Sequence, residues 1–144
     1  MLIKKIEEKN KYINKNFLKE KFLFTLKGKK LKYKRYFKSP LRYPGGKSLA
    51  VGYIIELIPN NIKEILSPFF GGGSVEIACA KELDIKIIGF DIFDILVNFW
   101  KQLFTNKKNF IQEIKKLKIN KNEYLKIKNK LKKHWKNEKK LIIK

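Results

Sequence analysis

The apolar positions of this chain fall into short runs and helical stripes, set between two lysine-dense ends. Leu49, Tyr53 and Leu57, with Val51, Ile54, Ile55 and Ile58, give residues 49–58 a broad apolar face. That pattern predicts a helix, ended by Pro59-Asn60-Asn61. Residues 62–69 lead into a first strand, centred on 65–69. Ser74 is placed to cap a helix over 75–83, and small Ala78 and Ala80 suit close packing on a sheet. Residues 85–90 are apolar apart from Lys86, as strands of parallel sheets buried on both faces tend to be. A helix follows over 93–103, with Leu96, Val97, Trp100 and Leu103 on one side.

After Thr105-Asn106 the pattern changes to lysine-rich amphipathic helices. Phe110, Ile111, Ile114 and Leu117 mark one. A second starts at Asn120, with Tyr124, Ile127, Leu131 and Trp135 stepping along one side. A sheet, a missing partner chain and DNA are all candidate surfaces for them, and the spacing alone reads their aromatic residues as core. At the other end, residues 1–21 read as helical. Residues 22–26 and 31–37 read as extended, a loose hairpin about Gly28-Lys29. Three segments result: a basic N-terminal extension (1–38), a partial cofactor-binding domain (39–105) and a lysine-rich helical segment (106–144).

The chain has 144 residues and a net charge of +22, which favours a polyanionic partner such as nucleic acid. Lysine, isoleucine and asparagine are all abundant, so an AT-rich genome is an equal explanation of the charge. Cys79 is the only cysteine and His134 the only histidine. That excludes an internal disulfide, a cysteine-rich metal site and a multi-histidine site. No apolar run approaches the roughly 18 residues of a spanning helix, and no membrane partner or metal is expected. The expected setting is reducing and cytoplasmic.

Candidate chemistry centres on Phe69-Phe70-Gly71-Gly72-Gly73-Ser74, between strand and helix. Glycines there let backbone approach a ligand, and helix N–H groups face what binds. Asp91 ends the next strand. Glycine turn, helix, strand and terminal acid form the geometry of an adenosine-ribose site. Gly45-Gly46-Lys47-Ser48 is not a P-loop, because Leu41 stands where that motif needs its first glycine. The dinucleotide pattern also fails, since Glu76 occupies its last small position. Crowded glycines followed at once by a helix suit a ligand without a pyrophosphate, and S-adenosylmethionine is such a ligand.

Three blocks carry a family resemblance across about 40–103. They are Leu41-Arg42-Tyr43-Pro44-Gly45-Gly46-Lys47, then Ser67-Pro68-Phe69-Phe70-Gly71-Gly72-Gly73-Ser74-Val75-Glu76, then Gly89-Phe90-Asp91-Ile92-Phe93 with Leu96-Val97-Asn98-Phe99-Trp100. In this order they resemble the adenine-specific DNA methyltransferases of the DNA adenine methylase type. The resemblance implies a Rossmann-like α/β fold, incomplete in this chain, with S-adenosylmethionine as cofactor and double-stranded DNA as substrate. It implies that Asp91 accepts hydrogen bonds from the ribose hydroxyls and that Lys47 pairs with the methionyl carboxylate. It further implies that Tyr43 packs against the cofactor and that Phe69 with Gly71, Gly72 and Gly73 forms the turn beneath it. Ser67 departs from the acid that many relatives carry at this strand end, which implies weaker amine recognition or a solution elsewhere.

The catalytic motif of that family resembles Asp-Pro-Pro-Tyr, and it meets a flipped base with hydrogen-bond acceptors and an aromatic ring. None of Pro40, Pro44, Pro59 and Pro68 are adjacent, so the motif is absent and no catalytic residue is assigned. Only two core strands are evident, which leaves unpaired edges. The expectation is a cofactor-binding portion, inactive alone: one chain of a split enzyme, partnered by a chain with the catalytic motif, or a truncated product. A basic DNA-binding module and a decayed remnant are the competing readings. Block order and the first block favour adenine N6 over cytosine N4.

Overall fold

The computed structural model describes residues 15–29, 32–117 and 120–134. The chain divides into two compact units, Met1–Ile92 and Phe93–Lys144.

The first unit begins, in its described part, with helix α1 over residues 15–26. The expected extended run at 22–26 is therefore corrected to helix. Phe22, Phe24 and Leu26 alternate like a strand, but Leu18, Phe22 and Leu26 also recur at every fourth position. Burial decides between the two periods: Phe22 and Leu26 are 6% and 7% exposed, whereas Phe24 is 75% exposed. Only a helix puts 22 and 26 on one face and 24 on another. Among the described residues the hairpin reduces to one antiparallel bridge, Lys27 with Tyr33. Residue 31, in the expected second arm, and residues 1–14, in the expected N-terminal helix, lie outside the described residues, as does residue 30.

Helix α2 (Val51–Leu57) buries Val51, Gly52 and Ile55. Leu49, Tyr53 and Leu57, expected on its apolar face, are exposed. Strand β1 (Glu64–Ser67), helix α3 (Ser74–Leu83) and strand β2 (Lys86–Gly89) form one β-α-β unit. The strands pair in parallel, with Ser67 opposite Gly89 in register. This pair is the whole sheet among the described residues; the complete Rossmann-like sheet is not present there. Gly73 occupies the cap position of α3 and Ser74 is its first residue, with no side-chain cap. The expectation of Ser74 as cap is corrected accordingly: left-handed Gly73, at φ 64°, makes the turn into the helix itself.

Phe22, Leu26, Tyr36, Val51, Ile55, Ala78, Cys79, Leu83 and Ile85 share one core. The described part of the basic N-terminal segment is thus built into that core. Its lysines also close helix ends. Lys19 Nζ donates to the carbonyls of Glu56 (2.9 Å) and Ile58 (2.6 Å) at the end of α2. Lys15 Nζ donates to that of Asp84, just past α3 (3.3 Å). Cations at helix C-termini satisfy orphan carbonyls and complement the dipole.

The second unit contains α4 (Asp94–Thr105), α5 (Lys107–Lys116) and α6 (Lys121–His134). Phe99 meets Phe110 edge-on at 5.4 Å and joins α4 to α5. Trp100 stacks on Phe104 at 5.7 Å. Asn120 Oδ1 accepts the Glu123 N–H at 2.8 Å, capping α6. The expectation that the aromatics of these lysine-rich helices are core does not hold for Tyr124, which is exposed, with Lys128 Nζ 5.7 Å over its ring. No described side chain of α6 is buried, so the helical stripe there has no packing surface among the described residues. Trp135 lies beyond them.

Two measurements test this core. Ile55→Ala removes a fully buried side chain and is expected to cost about 2–5 kcal/mol in urea unfolding. Leu57→Ala, on the exposed face, should stay within about 0.5 kcal/mol. Equal effects would displace the core from where Ile55 sits. Cys79 gives the second test: burial, assisted by the charge of Glu76, pushes its thiol up from 9.0 to about 12. The native state then holds a proton that the unfolded chain releases, so this contribution is intact below pH 9 and lost toward pH 12. Cys79→Ala should flatten that part of the stability–pH curve, and the native thiol should resist labelling at pH 8.

Candidate functional site

The carboxyl ends of β1 and β2 meet at the glycine turn. Backbone bonds lock them together: Phe90 N–H donates to the Ser67 carbonyl at 2.7 Å, and Phe70 N–H to the Phe90 carbonyl at 2.8 Å. The turn closes with Gly73 N–H on the Phe70 carbonyl at 2.8 Å. Gly71 and Gly73 both have positive φ, 51° and 64°, a region that side chains with a Cβ avoid. Gly72 is needed for a different reason. A Cβ there would stand 2.9 Å from the Tyr43 Cβ.

Asp91, one residue past Phe90, reaches back to this turn. Its Oδ2 accepts the Gly71 N–H at 2.9 Å. Two residues singled out twenty positions apart are thus brought into direct contact. Ser67, at the end of β1, is buried and donates through Oγ to Glu76 Oε1 at 2.6 Å. The carboxylate missing from the strand end is therefore supplied from the first turn of α3. Sequence reasoning assigned Glu76 no role. A signal was available, since an acid nine positions after Ser67 falls on the helix turn that faces the strand end.

Tyr43 belongs to a loop wrapped over the same turn. Its Cδ1 would lie 3.4 Å from a Cβ on Gly71, which puts ring and glycine backbone in close apposition. Tyr43-Pro44-Gly45-Gly46 is a tight turn, with Gly46 N–H on the Tyr43 carbonyl at 2.9 Å. Gly45 has φ 73°, and proline then glycine at the two central positions is what a type II turn requires. Ser39 staples the loop to the glycine turn through Oγ donation to the Gly72 carbonyl at 2.5 Å.

A cleft of about 540 Å³ opens between loop and turn, and Tyr43, Gly72 and Ser74 are among its lining residues. Ser74 brings the uncapped N-terminus of α3 to it. The other expected contacts do not line the cleft. Lys47 is exposed and donates from Nζ to the Gly45 carbonyl at 2.7 Å. Phe69 is also exposed. Gly71, Gly73 and Asp91 are not among the lining residues either. Arg35 and Arg42 line the cleft, and neither was assigned from sequence.

These residues fit a cofactor of the adenosyl-amino-acid class: positive-φ glycines, a ring against their backbone, an uncapped helix start, and carboxylates at both strand ends. Among the described residues, no group of three or more histidine, cysteine, aspartate or glutamate side chains could hold a metal. No helix there is long and apolar enough to cross a membrane.

Neither the curated proteins nor the solved structures contain a match to this chain. A sequence profile for D12 class N6 adenine-specific DNA methyltransferases matches residues 43–143. That span takes in Tyr43, the glycine turn, Glu76 and Asp91, and continues through the helices of the second unit. With well over half of its length matched, the chain belongs to the D12 class N6 adenine-specific DNA methyltransferase family.

Proposed function

We propose that this chain is the S-adenosylmethionine-binding portion of an enzyme that methylates adenine N6 in double-stranded DNA. The observation that carries this reading is the bond from Gly71 N–H to Asp91 Oδ2. It fixes an acid of one strand end against the glycine turn of the other. Ligands of open α/β sheets sit at this position, and the family generally uses S-adenosylmethionine.

Asp91 is the acceptor for the ribose hydroxyls. Tyr43 covers one side of the cofactor, and Phe69 with Gly71, Gly72 and Gly73 forms the turn beneath the methionyl part. Glu76, held by Ser67, is the counter-charge for the ammonium group. Lys47 takes the methionyl carboxylate once its Nζ leaves the Gly45 carbonyl, a rearrangement open to an exposed, flexible side chain. When bound, S-adenosylmethionine supplies the electrophilic methyl group. The residues of this chain orient it.

An Asp-Pro-Pro-Tyr element does not occur in the 144 residues. Its acceptors would receive the hydrogen bonds of the target amine, and its ring would stack on the flipped adenine. Methyl transfer therefore draws on a further chain segment or a second chain that carries this element.

Labelled S-adenosylmethionine should bind the isolated chain in equilibrium dialysis. Hydrogen bonds to charged groups are worth about 1.5–3 kcal/mol, so Asp91→Ala should weaken binding by about 10- to 100-fold. Glu76→Gln, which keeps an acceptor for Ser67, should weaken it by about fivefold or more. A folded chain that takes up no cofactor, or one indifferent to Asp91→Ala, would refute the assignment. In the same preparation, adenine-containing duplex DNA should gain no methyl label. Robust transfer would show that the chain needs no added catalytic element.

A further inference from the structure

Only two of the 35 basic residues in this chain are arginines, Arg35 and Arg42. Both line the same cleft. Every other positive charge is a lysine, and Lys34, Lys38 and Lys47, close neighbours in sequence, are absent from the lining. A compositional bias that favours lysine gives no reason for both arginines to meet at one site. Function does give one. A lysine ammonium is a point charge, whereas a guanidinium presents a planar fork that pairs with two oxygens of one anion.

The surroundings suit an anion. No aspartate or glutamate lines the cleft. Arg35 is steadied by Phe37, with its Cζ 5.9 Å from the ring centroid. Arg42 directly precedes Tyr43, whose ring lies against the glycine turn. Both arginines are exposed, so they stand at the mouth, where a long polyanion can reach them. Both also precede residue 43, where the family match begins.

We propose that Arg35 and Arg42 form a phosphate clamp that grips the DNA backbone at the mouth of this cleft. The identity of the polyanion rests on the DNA methyltransferase reading above. The clamp positions the duplex beside the cofactor turn, while the lysines, spread over the surface, supply general attraction. Phosphate contacts of this kind fix register and orientation and carry no sequence information themselves.

The test keeps the charge and removes the fork. Duplex binding is followed by fluorescence anisotropy at one fixed salt concentration, using the full chain. Arg35→Lys and Arg42→Lys should each raise Kd about fivefold or more, with the dependence on salt unchanged because the charge remains. Lys63→Arg, a guanidinium placed away from the cleft, should leave Kd as it was. S-adenosylmethionine affinity should be the same in all these proteins. DNA affinity unchanged in both arginine variants would overturn the clamp. So would a loss of cofactor affinity in place of DNA affinity, which would assign the arginines to the cofactor carboxylate. Arginine-dependent DNA binding in a chain that takes up no cofactor would support the clamp and overturn only the methyl-donor reading.

Discussion

Between the ends of two parallel strands, a single backbone N–H meets a carboxylate: Gly71 donates to Asp91. That contact sits at a turn whose left-handed backbone at 71 favours glycine. It needs the β-α-β unit to return β2 beside β1, with Gly89 in register with Ser67. The turn then has little freedom. Gly72 faces the Tyr43 loop at a distance that no side chain tolerates, and Gly73 caps α3. The candidate site exists because these constraints agree.

The loop over the turn is held by equally local means. Pro44 and Gly45 bend it, Ser39 staples it to the Gly72 carbonyl, and Tyr36 anchors it in the core. Tyr36 N–H donates to the Ser48 carbonyl at 2.9 Å, and its hydroxyl donates to Glu82 Oε1 at 2.9 Å. Burial and the Glu82 carboxylate raise the Tyr36 hydroxyl above its ordinary value, which keeps it a donor. The basic N-terminal segment underlies this arrangement through Phe22 and Leu26, and Phe22 meets the Tyr36 ring edge-on at 5.6 Å. Charge in this protein is therefore partly structural. Lys15 and Lys19 close helix ends.

Much of the site was legible in the residues. Glycine spacing, the strand-terminal Asp91 and the Tyr43 block mark the turn and the family, because positive φ and close approach are properties of single residues that sequence reveals directly. The helices at 51–57, 74–83 and 94–105 fall within about two residues of the expected bounds, although Leu49, Tyr53 and Leu57 are exposed where an apolar face was expected. Helix 15–26 was misread because aromatic residues at alternate positions imitate a strand. Only the burial of Phe22 and Leu26, against exposed Phe24, selects the longer period.

By itself, then, the sequence determined the turn, the order β-α-β, the family, and the absence of an Asp-Pro-Pro-Tyr element. These depend on local conformational preference and on residue identity. Tertiary structure alone decided which distant groups act together. It joined Ser67 to Glu76 and so restored a carboxylate to the strand end. It turned Lys47 onto its own loop. It also set Arg35 and Arg42, which share one short stretch of chain, in the lining of one cleft. Contacts of this kind depend on how elements pack, and packing is set by burial across the whole core, which no single stretch of residues specifies.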